Sequence, residues 1–299
     1  MLEINVIGAT KLHIFMDKLY ADLHVHTKYS DGTFSPAESV NYAKKSGLAA
    51  ISITDHDTTD GIAEAIAEGL NTGVEVIPGV ELSAEPKNVN SQEMHILGYF
   101  MNWQNESFQQ QLKIFKEARE KRAFQILEKL KNMGIALDEQ KLLNIKKVSV
   151  IGRLHIAKML IEQNVVSNTY QAFRKYLGYG KPAYVPKFRL APNEAIKMIL
   201  QVGGIPVLAH PHCNNVDHDV VKSLVDSGLK GIEVWHTKHT PEETNKFRKM
   251  AIKFGLIMTG GSDCHGEVNN AAPIMGTVKV PYDVVSQLKE LKNNPPLAV

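Results

Sequence analysis

SGLAAISITDHD (residues 46–57) and TGVEVIPGVEL (residues 72–82) share one pattern. A helical segment ends, Gly47 or Gly73 follows, and a run of apolar or β-branched residues comes next. Glycine just past a helix is the left-handed cap that ends it, and a short apolar run afterwards suits a strand buried on both faces. The pattern recurs in GGIPVLAHP (203–211), SGLKGIEVW (227–235) and FGLIMTGGSD (254–263). Segments such as Pro36 to Ser46 and Pro241 to Phe254 open on Ser-Pro or Thr-Pro and carry apolar residues at helical spacing. KLYADLHVHT (18–27) and MHILGYF (94–100) add two further strands. Strands alternating with helices predict parallel βαβ units, and seven such strands suit a barrel better than an open sheet. The expected class is α/β.

The middle of the chain reads differently. From Asn105 to Met133, Phe108, Leu112, Phe115, Ile126, Leu127, Leu130 and Met133 fall largely on helical spacing, and Gly134 follows as a cap. Shorter helices are expected near 153–163 and 168–176, followed by KPAYVPKF (181–188). The expected division is barrel over 18–100, a mostly helical insertion over 101–195, and barrel again over 196–290. So long an insertion needs a core of its own. It is also basic: 17 Lys and Arg face 8 Asp and Glu within 101–195, although the whole chain carries only +2. A basic cover beside an acidic remainder suits an anionic ligand, and a solvated Lys-rich helix face is the alternative reading.

Composition removes several classes. With 43% hydrophobic and 22% charged residues, the 299-residue chain is neither collagen-like, disordered nor low in complexity. No apolar run approaches the ~18 residues of a membrane span, and the first residues do not read as a signal peptide. Two cysteines give no disulfide framework, so a reducing, cytoplasmic setting is expected.

The chemistry lies at the strand ends. His24 and His26 are two apart on a strand and therefore share a face. His56 follows the next strand, Glu81 ends VIPGVEL, His210 ends VLAHP, and Asp263 with His265 closes the last. Asp31 lies in the loop after the first strand; His95, by contrast, stands at a strand start. The C-terminal strand ends are where barrels build active sites. Six imidazoles and three carboxylates converging there would hold two or three divalent cations, which also relieve repulsion among Asp31, Glu81 and Asp263. Singly, His95 or His210 is more often a satisfied core or loop histidine than a ligand; five separated motifs at strand ends are not read that way.

DLHVHTKYSDG, TDHDT, GVEL, HILGY, LAHP and GSDCHG, in that order over about residues 18–280, resemble the polymerase and histidinol phosphatase (PHP) superfamily of metallophosphoesterases. More narrowly the chain is similar to the branch of nucleoside 3′,5′-bisphosphate phosphatase and the 5′→3′ exoribonuclease ribonuclease AM. The resemblance implies a distorted (β/α)7 TIM-like barrel with an inserted helical subdomain and a trinuclear site. It implies that His24, His26, Glu81 and Asp263 hold one metal, that Glu81 bridges to a second completed by His95 and His210, and that Asp31, His56 and His265 hold a third. Mn is the metal expected, with Zn or Fe as the other candidates. Asp22, Asp55 and Asp57 would orient ligands or cap turns, whereas Cys213 and Cys264 match no ligand position. Clustered cations lower the pKa of bound water and stabilise charge on phosphoryl oxygens, so no protein nucleophile is needed. Consistently, the sequence contains neither a G-x-S-x-G elbow nor a P-loop.

For the substrate, SVIGRLH (149–155) enters a helix whose N-terminus and Arg suit phosphate. The resemblance places this segment above the metals, making Arg153, His155 and Ser149 candidates for a second phosphate or an RNA backbone. His236, at the end of GIEVW, is a further candidate, with a solvent-facing loop histidine as its alternative. Arg119 and Arg122 are candidates beside a solvated-face reading, and Tyr184 and Phe188 are candidates for base stacking. The expected substrate is a small nucleotide or single-stranded RNA. Competing readings are histidinol-phosphate phosphatase, an amidohydrolase in a metal-rich barrel, and a non-catalytic module that binds nucleic acid or a polymerase.

Overall fold

In the computed structural model, residues 18–85, 94–186, 190–214, 216–267 and 271–294 are described. The first half of the barrel runs β1 (Tyr20–Val25), α1 (Pro36–Lys45), β2 (Ala50–Ile53), α2 (Ile62–Thr72), β3 (Glu75–Ala84) and β4 (Met94–Tyr99). Then come α3 (Glu106–Asn132), α4 (Glu139–Val148), α5 (Arg153–Glu162) and α6 (Thr169–Ala172), the last continued as one π turn over Phe173–Leu177. The chain returns through α7 (Pro192–Gln201), β5 (Ile205–Leu208), α8 (His218–Asp226), β6 (Gly231–His236), α9 (Pro241–Phe254), β7 (Ile257–Gly261), β8 (Val280–Pro281) and α10 (Asp283–Asn293).

The helices end as their residues dictate. Ser35 and Thr240 form capping boxes with Glu38 and Glu243, and Gly73 and Gly255 close α2 and α9 at φ 74° and 62°. All seven expected strands are present, and with an eighth they follow the order β7-β6-β5-β4-β3-β2-β1-β8. They are not all parallel, which corrects the sequence reading: β4 runs antiparallel to both β3 and β5. A parallel crossover takes a dozen or more residues, and only residues 85–93 separate β3 from β4. The short β8 was not foreseen; it pairs antiparallel with the start of β1.

The ring all but closes on β1. Beyond β7, Cys264 bridges Val25 in parallel, and the Ser262 amide donates to Asp22 Oδ1 at 2.8 Å. A Cβ on Gly261 would sit 2.4 Å from that of His24, so only glycine permits this approach. The closure carries the first and last strands' ligands to one rim.

The long helix α3 belongs to two cores. Phe108, Leu112 and Phe115 pack with the barrel residues Ile196, Ile199 and Leu208. Its second half, through Ile126, Leu127 and Leu130, packs with Leu142, Ile156, Leu160 and Leu177. The helical cap is fastened to the β1 loop, where the Val150 amide donates to Tyr29 O at 2.9 Å and the Ser149 hydroxyl donates to Ser30 O.

Candidate metal centre and the cleft above it

Strand register delivers the nine predicted residues to one rim. His24 and His26 point from β1 to the same side, where their Nε2 atoms are 3.1 Å apart. Glu81 lies beside His56 across the β2–β3 edge. Because β4 is antiparallel, its N-terminal end lies level with the C-terminal end of β3, and His95 pairs with Ser83. The residue that seemed misplaced at a strand start thus joins the same rim. There Glu81 Oε1 is 2.7 Å from His95 Nδ1 and 2.9 Å from His210 Nε2, while Oε2 is 2.9 Å from His56 Nδ1. Asp263 Oδ1 lies 3.2 Å from His26 Nε2, and Asp31 Oδ1 lies 3.2 Å from His265 Nε2.

The donor set fits cations. Glu81 Oε2 and His56 Nδ1 are close yet unaligned, and both are buried without a hydrogen bond. Buried polar atoms seldom stay unpaired, so these atoms suit an ion held between them. Two nitrogens ~2.0–2.1 Å from one tetrahedral ion lie about 3.3 Å apart. The separations of 3.1 Å for His24–His26 and 3.2 Å for His95–His210 match that geometry. Groups of suitable ligands form around His24, His26 and Glu81, around His56, Glu81 and His95, and around His26, Asp31, His56 and His265.

Outer residues hold these ligands in place. His265 Nδ1 donates to the Asp263 carbonyl at 2.8 Å, leaving Nε2 for the centre. Asp55 accepts from the Thr27 amide and hydroxyl and from Ser30, and Asp57 accepts from the Ser83 amide. His210, Asp263 and Asp57 have φ of 24°, 56° and 53°, a strained region for side-chain-bearing residues that recurs at functional sites.

Glu233 was missed. It is fully buried on β6, with both carboxylate oxygens 3.2 Å from His24 Nδ1, and it accepts from the His210 amide at 2.7 Å. A carboxylate inside an otherwise apolar strand is costly unless paired, so GIEVW held the signal. Glu233→Gln is expected to weaken metal affinity ~10–100-fold while the protein stays folded. Metal titration followed by calorimetry checks this, and unchanged affinity would remove the orienting role.

Electrostatics in the metal-free centre favour protonated imidazole. Burial opposes charge on His24, but Glu233, Glu81 and Asp263 outweigh it and raise its pKa well above the usual value. His26 is buried too, and Asp263 and Glu81 carry it from 6.5 to about 10. His56 goes the other way, lowered chiefly by burial. Despite burial, Glu81 and Asp31 are held well below the carboxylate range, Glu81 by His56 and His95 and Asp31 by His265 and His56. A metal entering at neutral pH must displace the His26 proton, so affinity is expected to rise about tenfold per pH unit per proton released, up to about pH 10. Calorimetry in buffers of different ionisation enthalpy should register the released protons. In the metal-free protein the same raised pKa stabilises the fold below pH 6.5, a contribution lost as pH rises toward 10.

Above the centre lies a cleft of ≈ 270 Å³ lined by Asp31, His56, His95 and His210 together with Arg119, Arg122, Arg153 and Phe173. Arg153 stacks over Phe173 at 5.4 Å. Arg119 bridges Asp57 and Ser83, and Arg122 is buried and donates to Val185 O, so neither is on a solvated face. His155 accepts from the Gly152 amide at 3.0 Å, and burial first, with Lys158 and Arg119 nearby, lowers its pKa to about 4. Ser149 is not brought to the cleft wall; it is buried under the cap with its hydroxyl on Ser30 O. His236 is buried, not solvent-facing, with Nε2 3.6 Å from Asp263 Oδ2. Tyr184 meets Arg122 and Tyr179, and Phe188 lies outside the described residues.

The PHP domain profile matches residues 22–181. The chain belongs to the PHP domain family. Metal-dependent phosphoesterase is the enzyme class of this family. The chain is 31% identical to the 3′,5′-nucleoside bisphosphate phosphatase of Chromobacterium violaceum, over 87% of this chain and 92% of that one. It is 36% identical to a 5′-3′ exoribonuclease of Haemophilus influenzae, over 84% and 91%. Among solved structures, a Bifidobacterium adolescentis protein assigned as a metal-dependent phosphoesterase superposes with a TM-score of 0.83 at 29% identity, covering 93% of this chain and 98% of that one. No helix among the described residues is long and apolar enough to cross a membrane.

Proposed function

We propose that this PHP protein hydrolyses nucleotide phosphate esters at the 3′ position, acting on nucleoside 3′,5′-bisphosphates, on 5′-monophosphorylated RNA, or on both. The observation that carries the reading is the cleft itself, which metal-type ligands and three arginines line together. Both substrates pair a 5′-phosphate with a 3′-phosphoester, so one arrangement serves either: the ester toward the metals and the 5′-phosphate toward Arg153. A bisphosphate phosphatase and a 5′-3′ exoribonuclease among the relatives support this pairing.

In this reading three divalent ions, manganese first among the candidates, are held as the sequence suggested. His24, His26, Glu81 and Asp263 take one; Glu81, His95 and His210 take the second; Asp31, His56 and His265 take the third. When bound, such ions polarise phosphoryl oxygens and make a nucleophile available from water at neutral pH. Arg153 gives a planar, permanently charged grip on the distal phosphate. Arg119 and Arg122, already anchored, line the same cleft and need little reorganisation when an anion arrives. His155, neutral at pH 7, positions the α5 N-terminus near Arg153 through its bond from Gly152.

The test is direct. Mn²⁺-loaded protein, with His56→Ala as control, is incubated with a short 5′-monophosphorylated RNA and separately with adenosine 3′,5′-bisphosphate. Stepwise mononucleotides from RNA identify an exoribonuclease, and inorganic phosphate from the bisphosphate identifies a phosphatase. Silence on both, with turnover of histidinol phosphate, would replace the substrate assignment.

A further inference from the structure

A second histidine cluster lies beside the centre and uses none of the nine ligands except through contact. His212 follows β5, His236 ends β6, and His239 lies in the turn that enters α9. Their ring centroids form a near-equilateral triangle of 5.3, 5.2 and 5.1 Å, and one ligand nitrogen of each lies within 4.8 Å of the others. We infer that His212, His236 and His239 form an additional site for a borderline-soft divalent cation of the zinc class.

Hydrogen bonding supports it. His239 donates Nδ1–H to the Val234 carbonyl at 3.0 Å, which fixes the tautomer with an unprotonated Nε2. That Nε2 is buried and has no hydrogen-bond partner among the described residues. Ligating histidines commonly anchor the other nitrogen to a carbonyl or carboxylate in this way. In His236, Nδ1 accepts from the Lys238 amide at 3.2 Å, and the buried Nε2, 3.6 Å from Asp263 Oδ2, makes no hydrogen bond among the described residues. Three neutral imidazoles with one position left open are a donor set that zinc favours. A rigid core would seldom leave a buried imidazole nitrogen unpaired beside two others without a ligand to meet it.

The assay is independent of phosphoesterase activity. Chelator-stripped protein is reloaded with Co²⁺ and the bound ions are counted by elemental analysis. Wild type is expected to hold about one ion more per chain than the His212→Ala/His239→Ala double variant, and His239→Asn should lower the count in the same way. Circular dichroism guards the comparison, and His239→Asn retains a polar side chain should the double variant fail to fold. Equal ion counts in wild type and His239→Asn would overturn the site.

Discussion

Glu81→Gln is expected to lower phosphoesterase turnover by about 10³-fold and to empty at least part of the metal centre. The reason is the number of ligands that depend on one carboxylate. Glu81 lies 3.4 Å from His24, 3.3 Å from His26, 2.9 Å from His56 and His210, and 2.7 Å from His95. An amide keeps the shape but removes the charge, and its NH₂ would point a donor at cations. It also leaves the imidazoles facing each other with less to hold them, since Glu81 is a principal cause of the raised pKa of His24 and His26. Elemental analysis with p-nitrophenyl phosphate turnover is the check. Full metal content and turnover within tenfold of wild type would show that Glu81 bridges nothing.

Five of the seven strands could be read in the sequence because each has two local signals, a glycine cap before and a polar residue after. Both arise from short-range physics: helix termination and the cost of a buried polar group. What could not be read there depends on pairing across the chain. The direction of β4 follows from the short β3–β4 connection, and only that direction explains His95 at a strand start. Glu233 seemed one more strand residue until the closing barrel set β6, the neighbour of β7, with its carboxylate against His24. Arg119 belongs to a helix that reads as amphipathic and solvated, but its guanidinium pairs with Asp57 sixty-two positions away. Helix α4 was also missed, since EQKLLNIKKV buries only Leu142 and so carries a weak apolar stripe. The candidate metal ligands were legible because imidazoles and carboxylates have few bland reasons to gather at strand ends. The cleft wall was less legible because arginine has many.

Arg153→Ala is expected to reduce kcat/KM for adenosine 3′,5′-bisphosphate by about 10²-fold and to change p-nitrophenyl phosphate turnover less than about threefold. The split follows from where the side chain sits. Arg153 lines the same cleft as the metal-type ligands, stacks on Phe173 and donates to the Leu177 carbonyl at 3.4 Å, a long bond that a phosphate can replace. A substrate with a single phosphate engages the metal-type ligands and has nothing for Arg153 to hold. A substrate with two needs the distal one neutralised to bring the ester into place, so the loss should fall on kcat as well as KM. Arg153→Lys should recover only part of it, because an ammonium lacks both the bidentate fork and the stacking face on Phe173. Equal losses on both substrates, with a lowered melting temperature, would instead make Arg153 a strut between α5 and the π turn at Phe173.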